Sequence, residues 1–390
     1  MAELSQKTIH TVKSTAPLLA EQGAAITAAF YDRLFVQHPE LLNVFNQANQ
    51  RQGTQAEALF NAVLAYASNI ENIAAIAPAV THIAHKHASL GIRPDQYPVV
   101  GKHLLATIQD TFELPDGHDI LVAWAEAYQL LADIFIQAEE GIYKINEAGE
   151  QGWRDFKPFI IDRIVVESPL VRTFYLKSVD GLPVQNYQGG QYISVRVRPE
   201  GSEYAAIRQY SLSDFSDENC YRISTKREDY GVVTQYMHNL SIGDQVEVHA
   251  PTGIFTLDQS AERHVFISGG VGITALLGML KQLAATQGRA NATFIQCVRD
   301  KSHELFADEI LAASALGTYK LCLTTGQEGD AEGRITEALL RDWLPDKTAT
   351  VYLCGPRPFM QSVYQALLAI GFADDAIHYE VFGPNASLQS

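Results

Sequence analysis

The residue pattern of the chain changes twice, and these changes limit what the chain can fold into. Up to about residue 145, apolar residues recur with helical spacing and glycine is infrequent. From about residue 155, short runs rich in Val, Ile, Tyr and Thr are separated by turn residues, which indicates an antiparallel β-sandwich or β-barrel to about residue 258. From His264, apolar strands alternate with helical stretches, which predicts a doubly wound α/β domain with a parallel sheet.

This pattern predicts three domains. A chain of 390 residues is long enough for two or three domains that each bury a core of their own. We therefore predict an all-α domain at 1–145, an antiparallel β domain at 153–260 and an α/β domain at 261–390. The segment EQGWRDF (150–156) is the predicted linker between the first two.

The charge balance limits the partners of the chain. Lys and Arg number 29 and Asp and Glu number 45, which gives a formal net charge of −16. This charge disfavours nucleic acid and anionic membranes as partners. It is compatible with a locally basic cleft that binds a phosphorylated cofactor.

Cysteine usage and the apolar runs indicate a compartment. The four cysteines are scattered without a C-x-x-C pair, which argues against zinc or iron–sulfur ligation and favours free thiols in a reducing compartment. The N-terminal segment lacks the apolar core of a signal peptide. The longest uncharged run, 265–280, is short for a membrane span and is broken by glycines. We therefore expect a cytoplasmic protein without stable membrane insertion.

Three histidines stand close together in the segment HIAHKHASLGIRPDQY (82–97). Successive helical residues turn by about 100°, so His82 and His85 lie within roughly 60° of each other. His87 points roughly 140–160° away from both. One helix therefore cannot direct all three imidazoles at one metal ion.

His87 belongs to the apolar stripe of this predicted helix. Pro78 suits the first turn of the helix, and Gly91 suits its end. The predicted buried stripe consists of Val80, Ile83, His87 and Leu90. His82 and His85 are expected to point toward water. A buried imidazole needs a partner, so His87 is either a core histidine bonded to a backbone carbonyl or an axial ligand of a haem.

Two glycine-rich turns in the α/β domain suit a nucleotide. In HVFISGGVGITALLGMLKQL, Gly270 and Gly272 follow a strand and open a helix, where backbone amides can approach a pyrophosphate, and Thr274 can add a hydroxyl. The second turn, CGPRPFM (354–360), also follows a strand. A lone partial fingerprint of this kind is also consistent with a tight turn that needs glycine for packing.

Three short motifs in the β domain fit a ligand with a flat ring and a pyrophosphate. RQYSLS (208–213) predicts a strand with Arg208 and Tyr210 on one face. GVVTQYMHNL (231–240) places Gly-x-x-Thr at the start of a helix, which suits an anion. GDQVEVHAPTGIF (243–255) is expected to form a hairpin. Each motif taken alone is better explained by ordinary strand and turn chemistry.

Taken together and in this order, the motifs R-x-Y-S, G-x-x-T, G-D-x-V-x-V-x-x-P-x-G-x-F, G-G-V-G-I-T and C-G-P resemble the ferredoxin–NADP reductase superfamily. In that superfamily the first domain, a β-barrel, holds FAD and the second holds NAD(P)H. The resemblance implies that Arg208 meets the flavin pyrophosphate, Tyr210 lies against the isoalloxazine ring and Ser211 bonds near its reactive nitrogen. It also implies that Phe382 covers the other ring face. The implied FAD-site residues are Tyr192, Arg208, Gln209, Tyr210, Ser211, Gly231, Val232, Thr234, Glu380, Val381, Phe382, Gly383 and Pro384.

The same resemblance implies an NAD(P)H site at the two glycine turns. Its implied residues are Gly270, Val271, Gly272, Ile273, Thr274, Ala275, Cys354, Gly355 and Pro356. Gly189 and Ala275 depart from the superfamily pattern, because a proline is often found at each position. NADH and NADPH both remain open, since Arg299 and Lys301 suit a 2′-phosphate and Asp300 suits a ribose hydroxyl.

The helical domain resembles a second family. The motifs H-P-E-L-x-x-x-F, Q-x-x-x-L, K-H-x-S and P-x-Q-Y resemble the globins, and the whole chain resembles the flavohaemoglobins, which join a globin to FAD and NAD(P)H domains in this order. The resemblance implies a haem b whose iron is bound by His87. It implies that Tyr97 and Glu139 hydrogen-bond His87 and make the imidazole more electron-donating. Glu140 is adjacent to Glu139, which leaves that assignment less secure.

The resemblance also implies a distal pocket. Tyr31 would offer its hydroxyl to bound dioxygen, and Phe45 would pack on the porphyrin. Gln55 and Leu59 would line the pocket.

The function implied by the resemblance is that of a nitric oxide dioxygenase. Electrons from NADH or NADPH would pass through FAD to the haem, where nitric oxide and dioxygen become nitrate, and Lys86 and Glu380 hold family positions thought to tune the haem and flavin potentials. Two other classes are an oxygen-binding or oxygen-sensing haemoprotein with reductase activity, and a general flavin reductase with a haem-free helical domain. We expect a monomer whose partners are the small molecules nitric oxide, dioxygen and NAD(P)H.

Overall fold

The computed structural model describes residues 4–46, 54–216, 219–287, 290–314, 319–383 and 388, and of residues 54–58 it describes the backbone alone. The chain separates into two compact units. The first unit contains Met1–Ala148 with Glu200–Ile207, and the second contains Gly149–Pro199 with Arg208–Ser390. No helix among the described residues is long and apolar enough to cross a membrane.

The first unit is helical, as the pattern predicts. Its first helix begins after a side-chain cap, because the Ser5 hydroxyl accepts a hydrogen bond from the Thr8 backbone N–H at 3.0 Å. Apolar side chains from several helices, including Phe30, Leu34 and Ile108, form one buried core. The described helices are α1 (Gln6–Glu21), α2 (Gly23–Gln37), α3 (Thr54–Ser68), α4 (Ala77–Leu90), α5 (Gln96–Thr111) and α6 (Asp119–Ala148).

Helix α4 carries the three histidines and has the predicted ends. Pro78 lies in its first turn, and Gly91 terminates it with φ of +71°, a left-handed conformation that favours glycine. Its buried face, however, differs from the prediction. The fully buried side chains are Val80, Ala84, Ala88 and Ser89. Because Ala84 and Ala88 are small, they can pack closely against α6, and His87 lies half-buried beside this stripe.

The two remaining histidines of α4 are also placed differently from the prediction. His82 and His85 were expected to be solvated, but both are half-buried. Burial lowers the pKa of His85, and the nearby His82 lowers it further.

The β domain forms an antiparallel sheet with the strand order β4-β3-β6-β1-β2-β5 among the described residues. The predicted hairpin at 243–255 is wrong, because β6 pairs with β1 and β3 and the chain after it runs beside Tyr192 through a bridge at Thr252. The strands are β1 (Lys157–Ser168), β2 (Val171–Ser178), β3 (Tyr192–Val197), β4 (Ala206–Ser211), β5 (Tyr221–Lys226) and β6 (Gln245–Val248), with helix α7 (Val232–Asn239) after β5.

The α/β domain forms a parallel sheet whose described strands follow the order β10-β9-β8-β7-β11-β12. The four strands read from the sequence are present, and two short strands that it did not reveal are added at the sheet edges. The strands are β7 (His264–Gly269), β8 (Ala292–Val298), β9 (Tyr319–Leu323), β10 (Ala331–Glu332), β11 (Thr350–Cys354) and β12 (Ile377–Glu380). The helices are α8 (Ile273–Gln287), α9 (Ala307–Ala313), α10 (Glu337–Trp343) and α11 (Arg357–Ala369).

Helix α8 connects the α/β domain to the β domain within the second unit. The Gly189 backbone N–H donates to Gln282 Oε1 at 2.7 Å. A side chain at Gly189 would lie 2.6 Å from the Gly278 carbonyl oxygen, so glycine allows the two backbones to touch. This contact explains in physical terms why glycine stands at a position where the superfamily often has proline.

Candidate functional site

His87 is the centre of a polar cluster between helices α4, α5 and α6. Its Nδ1 lies 2.7 Å from Glu139 Oε1 and 3.1 Å from the Tyr97 hydroxyl. The Tyr97 hydroxyl also donates to Glu139 Oε1. Glu139 is 2% exposed, so its carboxylate acts on His87 with little solvent screening.

The donor set of this cluster fits a haem iron. Glu139 and Tyr97 both bind His87 through Nδ1, and Nε2 has no hydrogen-bond partner among the described residues. An imidazole whose Nδ1 is held by a carboxylate and whose Nε2 is available is the usual form of a metal-binding histidine. Burial raises the pKa of Tyr97, so its hydroxyl keeps the proton that it donates to Glu139.

The structure distinguishes Glu139 from its neighbour. The Glu140 carboxylate lies 3.9 Å from Lys144 Nζ on the same helix, whereas the Glu139 carboxylate binds His87. Adjacent helical residues point about 100° apart, which directs these two carboxylates toward different neighbours. The predicted contact of Glu139 with His87 is therefore present, while its role remains a prediction.

Sequence reasoning missed three aromatic residues of α6 that support this cluster. The Tyr128 hydroxyl donates to the Tyr97 carbonyl at 2.7 Å, and the Tyr143 hydroxyl donates to the Ile92 carbonyl at 2.7 Å. The Phe135 ring lies 5.5 Å from the His87 ring, centroid to centroid. The signal was present in the sequence, because positions 128, 135, 139 and 143 follow a helical spacing that puts them on one side of α6.

The predicted distal residues gather around Tyr31 on α2. Tyr31 is 6% exposed, and its ring centroid lies 5.6 Å from Phe35 and 5.9 Å from Phe45. Leu59 is half-buried and packs against the same core. The side chain of Gln55 lies outside the described residues.

The predicted flavin residues of the β domain lie on two adjacent strands. Arg208, Gln209, Tyr210 and Ser211 end β4, and Tyr192 begins the neighbouring β3. The Tyr210 hydroxyl is buried and has no hydrogen-bond partner in the described part of the chain, which fits a site that is completed by a polar ligand. Burial lowers the pKa of Arg208, which indicates a desolvated cation that favours an anionic ligand such as a pyrophosphate.

The Gly-x-x-Thr motif forms the predicted helix start. Gly231 precedes the first residue of α7, Val232, and the Thr234 hydroxyl donates to the Gly231 carbonyl at 3.0 Å. A side chain at Gly231 would lie 2.4 Å from that hydroxyl oxygen. A side chain at Gly231 would therefore displace the Thr234 hydroxyl from the turn that exposes the first N–H groups of α7.

The two glycine turns of the α/β domain meet at the carboxyl ends of adjacent strands β7 and β11. A side chain at Gly272 would lie 2.3 Å from the Cys354 carbonyl oxygen, so the two turns touch through their backbones. Gly270 has φ of +52°, and a side chain there would meet no atom within 4 Å. This open backbone next to the start of α8 fits a pyrophosphate. The other predicted residues of the two turns are Val271, Ile273, Thr274, Ala275, Gly355 and Pro356.

The C-terminal motif EVFGP extends the same edge of the sheet. Glu380 ends β12 in register with Cys354, so the two motifs lie on adjacent strands. Phe382 is 46% exposed and makes no ring contact with Tyr210 among the described residues. Val381 and Gly383 flank it, and Pro384 lies outside the described residues.

The loop after β8 carries the residues predicted to choose the coenzyme. Asp300 accepts hydrogen bonds from the Ser302 hydroxyl at 2.6 Å and from the Ser302 backbone N–H at 3.0 Å. The Ser302 hydroxyl, His303 and Arg299 lower the pKa of its carboxyl group. Arg299 Nε donates to Asp300 at 3.1 Å, and Lys301 Nζ lies 2.6 Å from Glu304 Oε2. Arg299 and Lys301 therefore each form an ion pair with a nearby carboxylate.

Three family models match successive parts of the chain. Residues 28–135 match the Globin family, residues 159–257 match the oxidoreductase FAD-binding domain, and residues 266–365 match the oxidoreductase NAD-binding domain. The order agrees with the order of folds in the structure.

Known proteins are similar to the whole chain or to its C-terminal part. Two relatives named Flavohemoprotein are each 42% identical to this chain. The match to the relative from Halalkalibacterium halodurans covers 100% of this chain and 99% of the relative. The match to the relative from Bacillus subtilis covers 99% of each. A flavohemoglobin from Malassezia yamatoensis, with bound FAD and heme, is similar in structure with a TM-score of 0.88 and 28% identity, over 98% of this chain and 100% of that one. The FAD/NAD binding domain of a nitric oxide dioxygenase from Vibrio cholerae is similar over 59% of this chain and 100% of that one, with a TM-score of 0.55 and 38% identity.

Proposed function

Because the chain belongs to the flavohemoprotein family of oxidoreductases, we propose that it converts nitric oxide and dioxygen to nitrate with electrons from NADH or NADPH. In this proposal the helical unit binds haem, the β domain binds FAD and the α/β domain binds the nicotinamide dinucleotide. When bound, these groups would supply hydride donation, separation of the electron pair and an iron that takes up electrons and a gas.

Electron counting supports a chain built in this way. Nitric oxide, dioxygen and one electron together give one nitrate ion, whereas a nicotinamide releases two electrons as a hydride. One NAD(P)H therefore supports the formation of two nitrate ions, and the electron pair has to be divided between two turnovers. A flavin-binding domain in the same chain meets this requirement.

The contact between His87 and Glu139 is the observation that carries the proposal. His87 Nδ1 lies 2.7 Å from a carboxylate that is 2% exposed. Charge-assisted hydrogen bonds are about twice as strong as neutral ones, so the imidazole becomes a stronger electron donor through Nε2. Strong donation from the proximal side favours oxygen activation over reversible oxygen carriage.

Tyr31 and Tyr97 are assigned separate roles. The Tyr97 hydroxyl binds both Glu139 and His87, so it orients the carboxylate and the ring together. Tyr31 is buried among aromatic rings, and its hydroxyl would hold the gas on the distal side with a hydrogen bond that contributes about 0.5–1.5 kcal/mol. These roles extend the family resemblance to the matching positions of this chain.

Residues of the second unit are assigned to the two dinucleotides. Arg208 and the start of α7 would bind the FAD pyrophosphate, and Tyr210 would hold the flavin ring. The open backbone at Gly270 and the start of α8 would bind the pyrophosphate of NAD(P)H.

The test measures nitrate and NAD(P)H together in the purified holoprotein. We expect two nitrate ions for each NAD(P)H consumed in the presence of nitric oxide and dioxygen. Tyr31→Phe should lower this turnover about fivefold, since the lost hydrogen bond of about 1 kcal/mol acts on the reacting gas, and should leave the rate of flavin reduction unchanged.

The matched control is Tyr66→Phe. Tyr66 is 2% exposed in the same helical core, and its hydroxyl donates to the Ala127 carbonyl at 2.9 Å. This variant should lose stability and keep its nitrate yield. If the wild-type protein bound dioxygen but produced no nitrate, it would be an oxygen carrier or sensor, and the proposal would be wrong.

A further inference from the structure

Two of the four cysteines lie opposite each other on neighbouring strands. Cys297 on β8 is in register with Cys322 on β9, and the two strands are parallel. Register partners in a parallel sheet point to the same face and are separated by about 4.8 Å. This spacing lies inside the range of roughly 4.4–6.8 Å between the Cα atoms of disulfide-bonded cysteines.

The two thiols differ in their access to solvent. Cys297 is half-buried, whereas Cys322 is 1% exposed and its Sγ donates to the Gly333 carbonyl at 3.3 Å. Contact with Cys297 lowers the pKa of the Cys322 thiol, whereas contact with Cys322 and burial raise the pKa of the Cys297 thiol. A small oxidant can therefore reach one thiol while the other stands next to it as a partner.

The remaining cysteines have no such arrangement. Cys220 precedes β5 in the other sheet, and Cys354 ends β11, which β7 separates from β8. They are therefore internal controls for any reaction that requires two cysteines in register.

We propose that Cys297 and Cys322 are a peroxide-sensitive dithiol that closes to a disulfide between β8 and β9. The Cys297 sulfur attacks one oxygen of hydrogen peroxide, the O–O bond breaks, the thiol proton joins the departing hydroxide as water, and Cys297 becomes a sulfenic acid. The Cys322 sulfur then attacks the Cys297 sulfur, the S–O bond breaks, and a second water leaves. The two thiols lose two electrons and two protons, and the peroxide takes up both.

The disulfide would lie beside the predicted nucleotide site. Cys297 is in register with Gly269, the residue before the turn at Gly270. The ends of β8 and β9 are already joined, because the Thr325 backbone N–H donates to the Arg299 carbonyl at 2.7 Å. Since β9 is followed toward the sheet edge by a strand of two residues, β10, a covalent bond to β8 would hold β9 in the sheet.

The test treats the native holoprotein with hydrogen peroxide, removes the peroxide, unfolds the protein in the presence of N-ethylmaleimide to block free thiols, and digests it without reductant. Trypsin releases Cys297 in the peptide ANATFIQCVR (290–299) and Cys322 in LCLTTGQEGDAEGR (321–334). We expect these peptides as one species linked by a disulfide, and separate, alkylated peptides in the untreated sample. Amide exchange in β9 should be slower in the oxidised protein.

Single-cysteine variants test which two cysteines form the disulfide. Cys297→Ser should abolish the linked species, whereas Cys220→Ser should leave its yield unchanged. If the treated wild-type protein carried a sulfinic acid at Cys297, or free thiols at both positions, and no linked peptide, the proposal would be overturned. A linked peptide with unchanged exchange in β9 would refute the stabilising effect on the sheet edge.

Discussion

Two adjacent glutamates of α6 have different environments, and only one of them acts on His87. Glu139 is buried against His87 and Tyr97, while Glu140 faces Lys144. The difference arises from the helical rotation of about 100° between neighbours. At the scale of single residues, comparing substitutions of Glu139 and Glu140 therefore separates an electronic effect on His87 from a change at the helix surface.

Glu139→Gln should raise the reduction potential of the haem iron. The glutamine keeps an oxygen acceptor for His87 Nδ1 but removes the charge, and a charged acceptor strengthens such a bond by about 1 kcal/mol. For one electron this corresponds to a rise of roughly 40 mV. Spectroelectrochemical titration of the haem absorption band measures the potential.

The control is Glu140→Gln, which removes the same charge one position away. Its potential should stay within a few millivolts of the parental value, because Glu140 is paired at the surface with Lys144. Equal shifts in both variants would mean that overall charge, rather than the contact with His87, sets the potential.

His238 should make the second unit less stable in acid. It is 7% exposed and its Nε2 donates to the Thr225 carbonyl at 2.8 Å. Burial lowers the pKa of His238, and Arg172 and Arg227 lower it further. As the pH falls through the unfolded value of about 6.5, the unfolded chain binds a proton that the folded chain does not, so the free energy of unfolding decreases.

His238→Gln should reduce this pH dependence, because glutamine keeps a donor for Thr225 and does not titrate. Thermal midpoints at several values between about pH 7 and pH 5 measure the effect. The exposed His10→Gln serves as control and should retain the parental profile. A parental profile in His238→Gln would exclude His238 as a source of the acid sensitivity.

At the scale of secondary structure elements, the sequence predicted where helices and strands lie, but its one prediction of strand pairing was wrong. The end of α4 at Gly91 and the start of α1 at Ser5 depend on contacts a few residues apart, which a local pattern contains. The position of β6 depends on β1 and β3, which are distant in sequence, so the expected hairpin was wrong. The two-residue strand β10 is too short to show a periodic pattern.

Gly189 shows why a departure from a family pattern could not be interpreted without the fold. Because it has no side chain, its backbone can contact the backbone of α8, which lies more than eighty residues later in the chain. Gly189→Ala should destabilise the second unit by about 1–3 kcal/mol, because its Cβ would collide with backbone atoms. Gly189→Pro should cost a further ~1–3 kcal/mol, since it also removes the N–H that binds the buried Gln282 oxygen.

Thermal denaturation, monitored through the release of flavin, measures the stability of the second unit in both variants. The control is Gly141→Ala in α6, where an added Cβ would meet no atom within 4 Å. That change should stabilise the first unit by about 0.5–1 kcal/mol, as alanine is the better helix former. A proline variant as stable as the parent would show that α8 does not approach Gly189 in solution.

At the scale of the whole molecule, the order of the motifs was more informative than any motif alone. Each glycine turn and each R-x-Y-S or G-x-x-T sequence has an ordinary structural explanation, but their succession identified three domains and their ligand classes. The order of the motifs did not indicate how the β and α/β domains are joined. That depends on charged groups that no motif contains.

Four of these groups form a network between the β domain and the α/β domain. Lys281 on α8 binds the carboxylate of Asp214 and lies 2.7 Å from Glu309 Oε2. Arg222 on β5 is 2.9 Å from the same Glu309 oxygen. Asp214 and Arg222 are 5% and 3% exposed, so these two charges are removed from solvent, and the network should hold α8 at a defined position against the β domain.

Lys281→Met should therefore slow the reduction of the flavin by NAD(P)H. Hydride transfer needs the two rings at close and oriented contact, and a misplacement of about 1 Å can lower the rate by up to about 100-fold. We expect a decrease of roughly tenfold in anaerobic stopped-flow experiments, with unchanged FAD and haem content. The control is Lys177→Met, whose Nζ pairs at 3.0 Å with Asp162 on the exposed face of the β domain and should leave the rate unchanged. A parental rate of flavin reduction in Lys281→Met would show that the network stabilises the fold without positioning the two domains for hydride transfer.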